Sequence, residues 1–295
     1  MRSTRSAGGV NETTKAAPAA TAGSTARVHS WYHVAVDREL ARWFGLDDQV
    51  AIVTGGTGAL GSAMADGLAA AGARVAVLAR RAPDVDGPDR LGVTADVLRR
   101  DELVAARDRV LERWGRIDIV VNAAGGNVPG ATLEPGQGVF DLAEEAFRGV
   151  VDLNLVGTLL PTQVFATAMD DGGSIVNVSS MAAARAITRV VGYSAAKAAV
   201  ENLTRWLAVE LAPAIRVNAI APGFFVGEQN RRLLLDDDGE LTARGRAIVE
   251  RTPAGRFGEA GELVSTLVWL CGPGARFVTG AVVPVDGGFG AFAGV

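Results

Sequence analysis

Cysteine is nearly absent from this sequence, and other absences narrow the class of protein further. Cys271 is the only cysteine in 295 residues, which excludes an intrachain disulfide and favours a reducing compartment. Its apolar surroundings, LVSTLVWLCG, predict a buried structural thiol rather than a nucleophile. No uninterrupted apolar stretch approaches the roughly 20 residues of a membrane span. The net charge is -4, with arginines interleaved among acids and no basic patch, so we expect no nucleic-acid partner. We also expect a cytoplasmic protein with no membrane partner and no metal site.

Lysine and tyrosine are also scarce, with two of each in the chain, although lysine and arginine together number 29. One tyrosine and one lysine, Tyr193 and Lys197, are four residues apart, so a helix would place both on one face. A nearby ammonium favours the phenolate form of tyrosine, whose ordinary pKa of about 10 is too high for a base near neutrality. The pair alone is a modest indication of a proton-transfer site.

The N-terminal segment differs in composition from the rest of the chain. Its first 30 residues are rich in Ala, Ser, Thr and Gly with almost no large apolar side chains, so they cannot form a core. We therefore predict a disordered or weakly ordered extension over residues 1–44, followed by one domain over residues 45–295. A solvated tail or a mis-assigned start is favoured over a transit peptide, and no secretory apolar region is present.

From Gln49 onward, short apolar segments alternate with helical patterns. The predicted strands are QVAIVTGG, ARVAVLARR, RIDIVVNAAGG, GGSIVNVSS, IRVNAIAPG and GAVVPVDGG. Continuously apolar strands alternating with helices predict an α/β fold, a single-domain Rossmann-type doubly wound parallel sheet with helices on both faces. Ligands bind beyond the carboxyl ends of such strands. The notable residues that follow strands are Gly55, Arg80, Asp96, Asn122, Ser180 and Pro222.

A glycine-rich turn, TGGTGALG, joins the first strand to the first helix. Glycines let the backbone approach a pyrophosphate, and a helix N-terminus offers free N–H groups to anions. A plain βα loop is the alternative, but the position after the first strand favours a dinucleotide. At the end of the next strand Ala79 occupies the place where an acid usually contacts a ribose hydroxyl, and Arg80 and Arg81 follow. We expect NADP(H) to be favoured over NAD(H), unless these arginines only solvate the loop. Asp96 is placed to accept from an adenine amino group.

Seven features of the chain resemble core short-chain dehydrogenase/reductases in their order and spacing. They are TGGTGALG, NAAG at 122–125, Asn154, Ser180, the Tyr193–Lys197 pair, Pro222-Gly223 and VDGG at 285–288. The resemblance covers about residue 45 to the C-terminus. The family pattern has Gly where this chain has Ala59, and NNAG where it has NAAG. The resemblance implies hydride transfer between NAD(P) and a carbonyl or alcohol carbon. It also implies that Tyr193 is the proton donor or acceptor, that Ser180 binds the substrate oxygen, that Lys197 holds the nicotinamide ribose, and that Asn154 binds a water.

Carried onto this sequence, the resemblance and the glycine turn together predict one set of cofactor-binding residues. They are Gly55, Thr57, Gly58, Leu60, Gly61, Arg80, Arg81, Asp96, Val97, Asn122, Ala123, Ala124, Gly125, Tyr193, Lys197, Pro222, Gly223 and Phe225.

Longer segments, among them DLNLVGTLLPTQVFA and IRVNAIAPGFFVGEQNRRLL, resemble the D-mannonate oxidoreductase branch of that family, also called fructuronate reductase. That branch often has His at the position of Val128 and Thr at the position of Gly227. The resemblance implies D-mannonate and D-fructuronate as the substrate pair. A reductase of another polyol or keto-acid, such as 5-ketogluconate, is the alternative, and a non-catalytic dinucleotide sensor is a remote one.

Polar residues in three loops are the candidates for substrate recognition, because a steroid or fatty pocket would not ordinarily gather them. Arg189 is the preferred carboxylate partner, since a guanidinium binds carboxylates bidentately. Residues 224–257 are predicted to be a mobile lid of short helices, or else a rigid subunit contact. The resemblance suggests a homodimer or homotetramer with contacts at 144–169 and 193–212. The predicted substrate residues are Asn127, Ser180, Arg189, Tyr193, Glu228 and Asn230.

Overall fold

A computed structural model describes residues 39–81, 83–227 and 230–293 of the chain. Residues 1–38, most of the predicted extension, lie outside this description, as do Ala82, Glu228 and Gln229. From Ala41 onward the chain forms one compact unit.

The unit is built on a seven-stranded parallel sheet with the strand order β3-β2-β1-β4-β5-β6-β7. The order reverses between β1 and β4, and this switch point opens a crevice for a ligand at the carboxyl edge. The predicted α/β doubly wound fold is confirmed. The strands are β1 Val50–Thr54, β2 Arg74–Ala79, β3 Arg90–Thr94, β4 Ile117–Asn122, β5 Met169–Val178, β6 Ile215–Pro222 and β7 Val282–Val285.

Helices cover both faces of the sheet, which explains why all five residues of β1 are buried. One core contains Met64, Leu68 and Leu267. The other contains Leu103 and Phe165. The helices are α1 Ala59–Ala70, α2 Arg100–Trp114, α3 Glu144–Val151, α4 Gly157–Phe165, α5 Val191–Glu210, α6 Arg231–Leu234, α7 Ala243–Glu250 and α8 Val264–Cys271.

Strand β3 was not among the predicted strands, although Asp96 was placed at the ligand edge. Its sequence, RLGVT, buries only Leu91 and Val93, because β3 lies at the edge of the sheet. Cys271 is buried on α8, and burial raises the pKa of its thiol to about 12. Such a thiol stays protonated at neutral pH and behaves as a packing residue.

The helical segment that contains Pro161 is continuous but changes its winding. A π-helical turn, Asp152–Val156, lies between α3 and α4, and Pro161 follows within α4. Pro161 has no N–H to donate to the carbonyl oxygen of Gly157, so the helix lacks one hydrogen bond just after the π-helical turn. The turn carries Asn154, which is fully buried.

Glu144–Ala168, taken as one 25-residue helix, is long and apolar enough to cross a membrane, with a mean hydropathy of 1.2 in its most apolar window. The sequence pattern had indicated no stretch of this length, because Arg148 and Asp152 interrupt it. The face of this helix that meets the sheet carries Asn154, Thr158 and Thr162, all buried and hydrogen-bonded. This is the arrangement of a core helix.

The predicted lid, residues 224–257, contains α6 and α7 joined by a tight turn. Leu235 bridges to Leu241, and Gly239 in the turn has a φ of +85°. Thr242 caps α7 by accepting a hydrogen bond from the N–H of Gly245 at 3.0 Å. The mobility of the lid, residues 224–257, stays a prediction.

Candidate active site

The glycine turn between β1 and α1 is packed too closely for side chains at two positions. Gly55 has a φ of +65°, and a Cβ there would lie 2.7 Å from the Cα of Ala124. A Cβ on Gly61 would lie 2.3 Å from the carbonyl oxygen of Gly55. Gly58 begins α1 without a side-chain cap, and Thr57 and Gly58 are exposed. The turn therefore offers the first-turn N–H groups of α1 to an anion, and it fits a pyrophosphate.

The end of β4 lies directly beside this turn. Ala124 donates its N–H to the hydroxyl of Thr54 at 3.2 Å, which ties the two strand ends together. A Cβ on Gly125 would lie 2.7 Å from Oδ1 of Asn154 and 3.2 Å from Nζ of Lys197. The cradle for the cofactor and the predicted catalytic residues therefore meet at Gly125.

The remaining predicted cofactor residues lie along the same edge of the sheet. Oδ1 of Asp96 accepts from the N–H of Leu98 at 2.9 Å. Arg80 and Arg81 are exposed, and neither makes an ion pair or a side-chain hydrogen bond within the described part of the chain. A Cβ on Gly223 would lie 2.6 Å from the Cα of Asp286, so the end of β6 packs tightly against the turn after β7.

Lys197 is buried on α5, with 3% of its surface exposed. Its Nζ donates to the carbonyl oxygen of Val178 at 2.7 Å and lies 5.6 Å from the ring centroid of Tyr193. Burial lowers the pKa of Lys197 to about 8, because the protonated amine loses hydration. The amine therefore remains mostly protonated at neutral pH and lies directly beneath the tyrosine.

Tyr193 and Ser180 are brought together by the loop between β5 and α5. Burial raises the pKa of Tyr193, and a hydrogen bond with Ser180 acts in the opposite direction without cancelling that effect. The spacing of Tyr193 and Lys197 predicts instead that the ammonium of Lys197 favours the phenolate. In the chain alone burial prevails, because the low-dielectric surroundings disfavour the charged phenol. Ser180 also accepts the N–H of Ala182 at 3.2 Å, which fixes its side chain at the strand end.

Asn154 uses every polar atom of its side chain. Its Nδ2 donates to the carbonyl oxygens of Gly126 and Val150, each at 2.8 Å, and its Oδ1 accepts from the N–H of Gly126 at 3.0 Å. This fixes the loop that follows β4 against the π-helical turn. The main-chain carbonyl oxygen of Asn154 accepts a hydrogen bond from the hydroxyl of Thr158 at 2.8 Å.

A buried ladder of amides and hydroxyls then crosses the sheet. Asn122 donates to Thr162 and to Asn177, its in-register neighbour on β5, each at 2.9 Å. Asn177 donates to the hydroxyl of Thr204 on α5 at 2.9 Å. The ladder links the helix of Asn154 to the helix of Lys197. We did not predict Thr158, Thr162, Asn177 or Thr204, although polar residues spaced by four in an apolar helix, at 154, 158 and 162, were a readable signal.

Of the predicted substrate residues, Asn127 has a buried Oδ1 with no partner among the described residues. Asn230 uses its amide to close the turn of the lid, accepting from the N–H of Gly227 and donating to the carbonyl of Phe225, each at 2.8 Å. Arg189 has a φ of +76°, donates to the carbonyl oxygen of Leu133, and pairs with Glu134 at 3.0 Å. Glu228 lies outside the described residues. These substrate roles stay predictions.

Within the described residues, no three His, Cys, Asp or Glu side chains cluster as metal ligands. The Rossmann-type sheet, the glycine cradle and the Ser180, Tyr193 and Lys197 group define a dinucleotide-dependent oxidoreductase. A family model described as Enoyl-(Acyl carrier protein) reductase matches residues 56–290. The chain belongs to the short-chain dehydrogenase/reductase family and acts on CH–OH groups with NAD(P).

Three relatives illustrate the similarity. The uncharacterized oxidoreductase UxuB of Bacillus subtilis is 42% identical over 271 residues, 85% of this chain and 98% of its own length. A structure described as "a putative D-Mannonate oxidoreductase from Haemophilus influenza", with bound NAD, is 39% identical with a TM-score of 0.80, covering 87% of this chain and all of that one. A "putative 2-deoxy-d-gluconate 3-dehydrogenase" from Agrobacterium tumefaciens, with bound NADP, is 36% identical with a TM-score of 0.71, covering 84% of this chain and 99% of that one.

Proposed function

We propose that this enzyme interconverts a sugar-acid alcohol and its ketone, with D-mannonate and D-fructuronate as the pair. The observation that carries the oxidoreductase part is the convergence of Ser180, Tyr193 and Lys197 beside Gly125 at the switch point of the sheet. The sugar-acid part is supported by two similar structures, one described as a D-mannonate oxidoreductase and the other as a 2-deoxy-d-gluconate 3-dehydrogenase. Asn127, whose buried Oδ1 has no partner among the described residues, is available to a substrate hydroxyl.

The chain's own residues account for the proton chemistry. The bound nicotinamide supplies the hydride acceptor or donor. The hydroxyl of Tyr193 gives a proton to the carbonyl oxygen during reduction and takes one during oxidation. Ser180 holds the same oxygen through a hydrogen bond. The ammonium of Lys197, 5.6 Å from the ring, stabilises negative charge as it develops on the phenol oxygen. Asn154 holds the loop at Gly126 in place, and the water relay of its family role stays a proposal.

For the cofactor, we favour NADP(H) over NAD(H). Arg80 and Arg81 are exposed at the end of β2 and have no partner in the described chain, so both are available to a 2'-phosphate. One of the similar structures holds NAD and the other NADP, so the family alone does not decide. We expect kcat/KM with NADPH to exceed that with NADH, and replacement of both arginines by alanine to reverse the order. A tenfold preference of the unmodified enzyme for NADH would contradict this assignment.

The substrate is tested by turnover of D-mannonate, D-fructuronate, tagaturonate, 5-ketogluconate and neutral ketoses or polyols. Reductase activity on another keto-acid such as 5-ketogluconate is the second candidate, favoured by the two departures from the mannonate branch. One departure is Val128, whose apolar side chain packs against α3. Its Cγ2 would lie 3.8 Å from a Cβ on Gly149. At the other, a Cβ on Gly227 would lie 3.7 Å from the Cβ of Ala59 in the cradle. Turnover of neutral compounds only would refute the sugar-acid assignment.

We also propose a cytoplasmic homodimer or homotetramer with a mobile lid. Exposed apolar side chains on α5, Trp206 at 57% and Val209 at 80%, support a subunit contact in the region 193–212. Light scattering of the purified protein measures the assembly. Hydrogen exchange over 224–257, with and without ligand, separates a mobile lid from a rigid contact.

A further inference from the structure

Two arginines of the segment between β5 and α5, Arg185 and Arg189, and a third in α7, Arg244, differ in their partners. Arg185 donates to the carbonyl oxygen of Gly290 at 3.0 Å. Arg189 has a carboxylate partner, Glu134. Arg244, in the first turn of α7, donates only to the hydroxyl and carbonyl oxygens of Thr188, each at a long 3.3 Å. Within residues 39–81, 83–227 and 230–293, Arg244 has no acidic partner.

The surroundings of Arg244 disfavour its positive charge. The side chain is half-buried, and burial together with the neighbouring charge of Arg189 lowers the pKa of its guanidinium. No acidic residue lies in the first turn of α7, where the helix dipole also disfavours a cation. A partly desolvated charge without a counter-ion is costly unless a ligand neutralises it. Arg244 therefore has no counter-ion among the described residues and is open to an anionic ligand.

The position of Arg244 connects it to the catalytic loop. Thr188, which it contacts, lies in residues 181–190, the segment that joins Ser180 to Tyr193. Arg189, the next residue, anchors this segment through Leu133 to the loop that follows β4 and carries Asn127. Arg244 itself belongs to the lid. A ligand held at Arg244 would thus be bounded by the lid on one side and by the catalytic loop on the other.

We propose that Arg244 binds the carboxylate of the substrate and selects acids over neutral polyols. This rests on the proposed sugar-acid function and reassigns the carboxylate from Arg189 to Arg244. The guanidinium of Arg189 is already neutralised by Glu134 and holds the loop at Leu133, so it is the positioning residue of the pair. A guanidinium can grip a carboxylate through two parallel hydrogen bonds. The substrate would then hold the lid against residues 181–190.

The test compares an acid with its neutral amide in a background without turnover. In Tyr193→Phe enzyme saturated with NADP⁺, dissociation constants are measured for D-mannonate and D-mannonamide. Adding Arg244→Met should raise the dissociation constant of D-mannonate at least about tenfold and leave that of D-mannonamide within about twofold. The matched control is Arg246→Met on the same helix, whose guanidinium donates to the carbonyl oxygen of Leu241. The control should change neither constant, and unchanged NADP⁺ affinity should show that the variants are folded.

Each outcome is decisive. If Arg244→Met retains the preference for the acid, the proposal is wrong. If Arg189→Met removes that preference and Arg244→Met does not, the carboxylate belongs to Arg189. If the unmodified enzyme turns over sugar acids and Arg244 is indifferent, only this inference fails. If it turns over no sugar acid, the proposed function fails and this inference with it.

Discussion

Replacing Gly125 by alanine tests the convergence of the cofactor cradle with the catalytic residues. The added methyl would lie 2.7 Å from Oδ1 of Asn154 and 3.2 Å from Nζ of Lys197. Asn154 is fully buried and held by three side-chain hydrogen bonds, so it cannot move aside without breaking them. Overpacking of this kind costs about 1–3 kcal/mol. A displacement of about 1 Å at a catalytic group can lower turnover about a hundredfold.

We therefore expect Gly125→Ala to lower the free energy of unfolding by about 1–3 kcal/mol and kcat by about a hundredfold. The matched control is Gly138→Ala, because a Cβ there would meet no atom within 4 Å and Gly138 has an ordinary extended φ of -123°. Urea unfolding and initial rates of NADP(H) conversion measure the two effects. The reasoning fails if Gly125→Ala keeps more than a third of the wild-type kcat.

Two further predictions concern buried side chains of α5, Thr204 and Lys197. Thr204→Val removes the acceptor of Asn177 Nδ2, so the free energy of unfolding in urea should fall by about 1–3 kcal/mol. Thr204→Ser keeps the hydroxyl and should lose much less. Equal losses in the two variants would mean that this hydrogen bond contributes nothing to stability. The pKa of Lys197 is about 8 in the folded chain, below the ordinary lysine value of 10.5. Between pH 8 and 10 the unfolded chain therefore binds the extra proton, and the free energy of unfolding should rise with pH by up to about 2 kcal/mol. Lys197→Met should lack this rise, and parallel pH profiles of the two proteins would contradict the burial of a charged lysine.

The sequence predicted those parts of the fold that depend on hydrophobic pattern and on glycine. Strands β1 and β4 carry the apolar runs VAIV and IVV because both faces of the sheet are covered, so their pattern is readable. Strand β3 escaped because an edge strand needs few apolar residues, and RLGVT has only two buried ones. The order of Ser180, Tyr193 and Lys197 was readable because their spacing is set within one strand, one loop and one helix.

Other features depend on contacts between segments far apart in sequence. Asn154 lies in a π-helical turn, and its amide bonds to Gly126, 28 residues away, a contact that local pattern does not reveal. The polar ladder needs the register of Asn122 with Asn177, which a single strand does not reveal. Arg189 looked available in the sequence, yet it pairs with Glu134, 55 residues away. The raised pKa of Tyr193 follows from burial, which spacing alone could not show.

The most direct test of the catalytic assignment is turnover by Tyr193→Phe. The substitution keeps the ring beside Lys197 and removes only the hydroxyl, so NADP(H) affinity should stay within about twofold of wild type. Because general acid–base catalysis contributes about 10²–10⁴-fold, kcat for the best substrate of the panel should fall by at least about a hundredfold. Turnover near the wild-type rate in this variant would contradict the assignment of Tyr193 as the proton donor and acceptor.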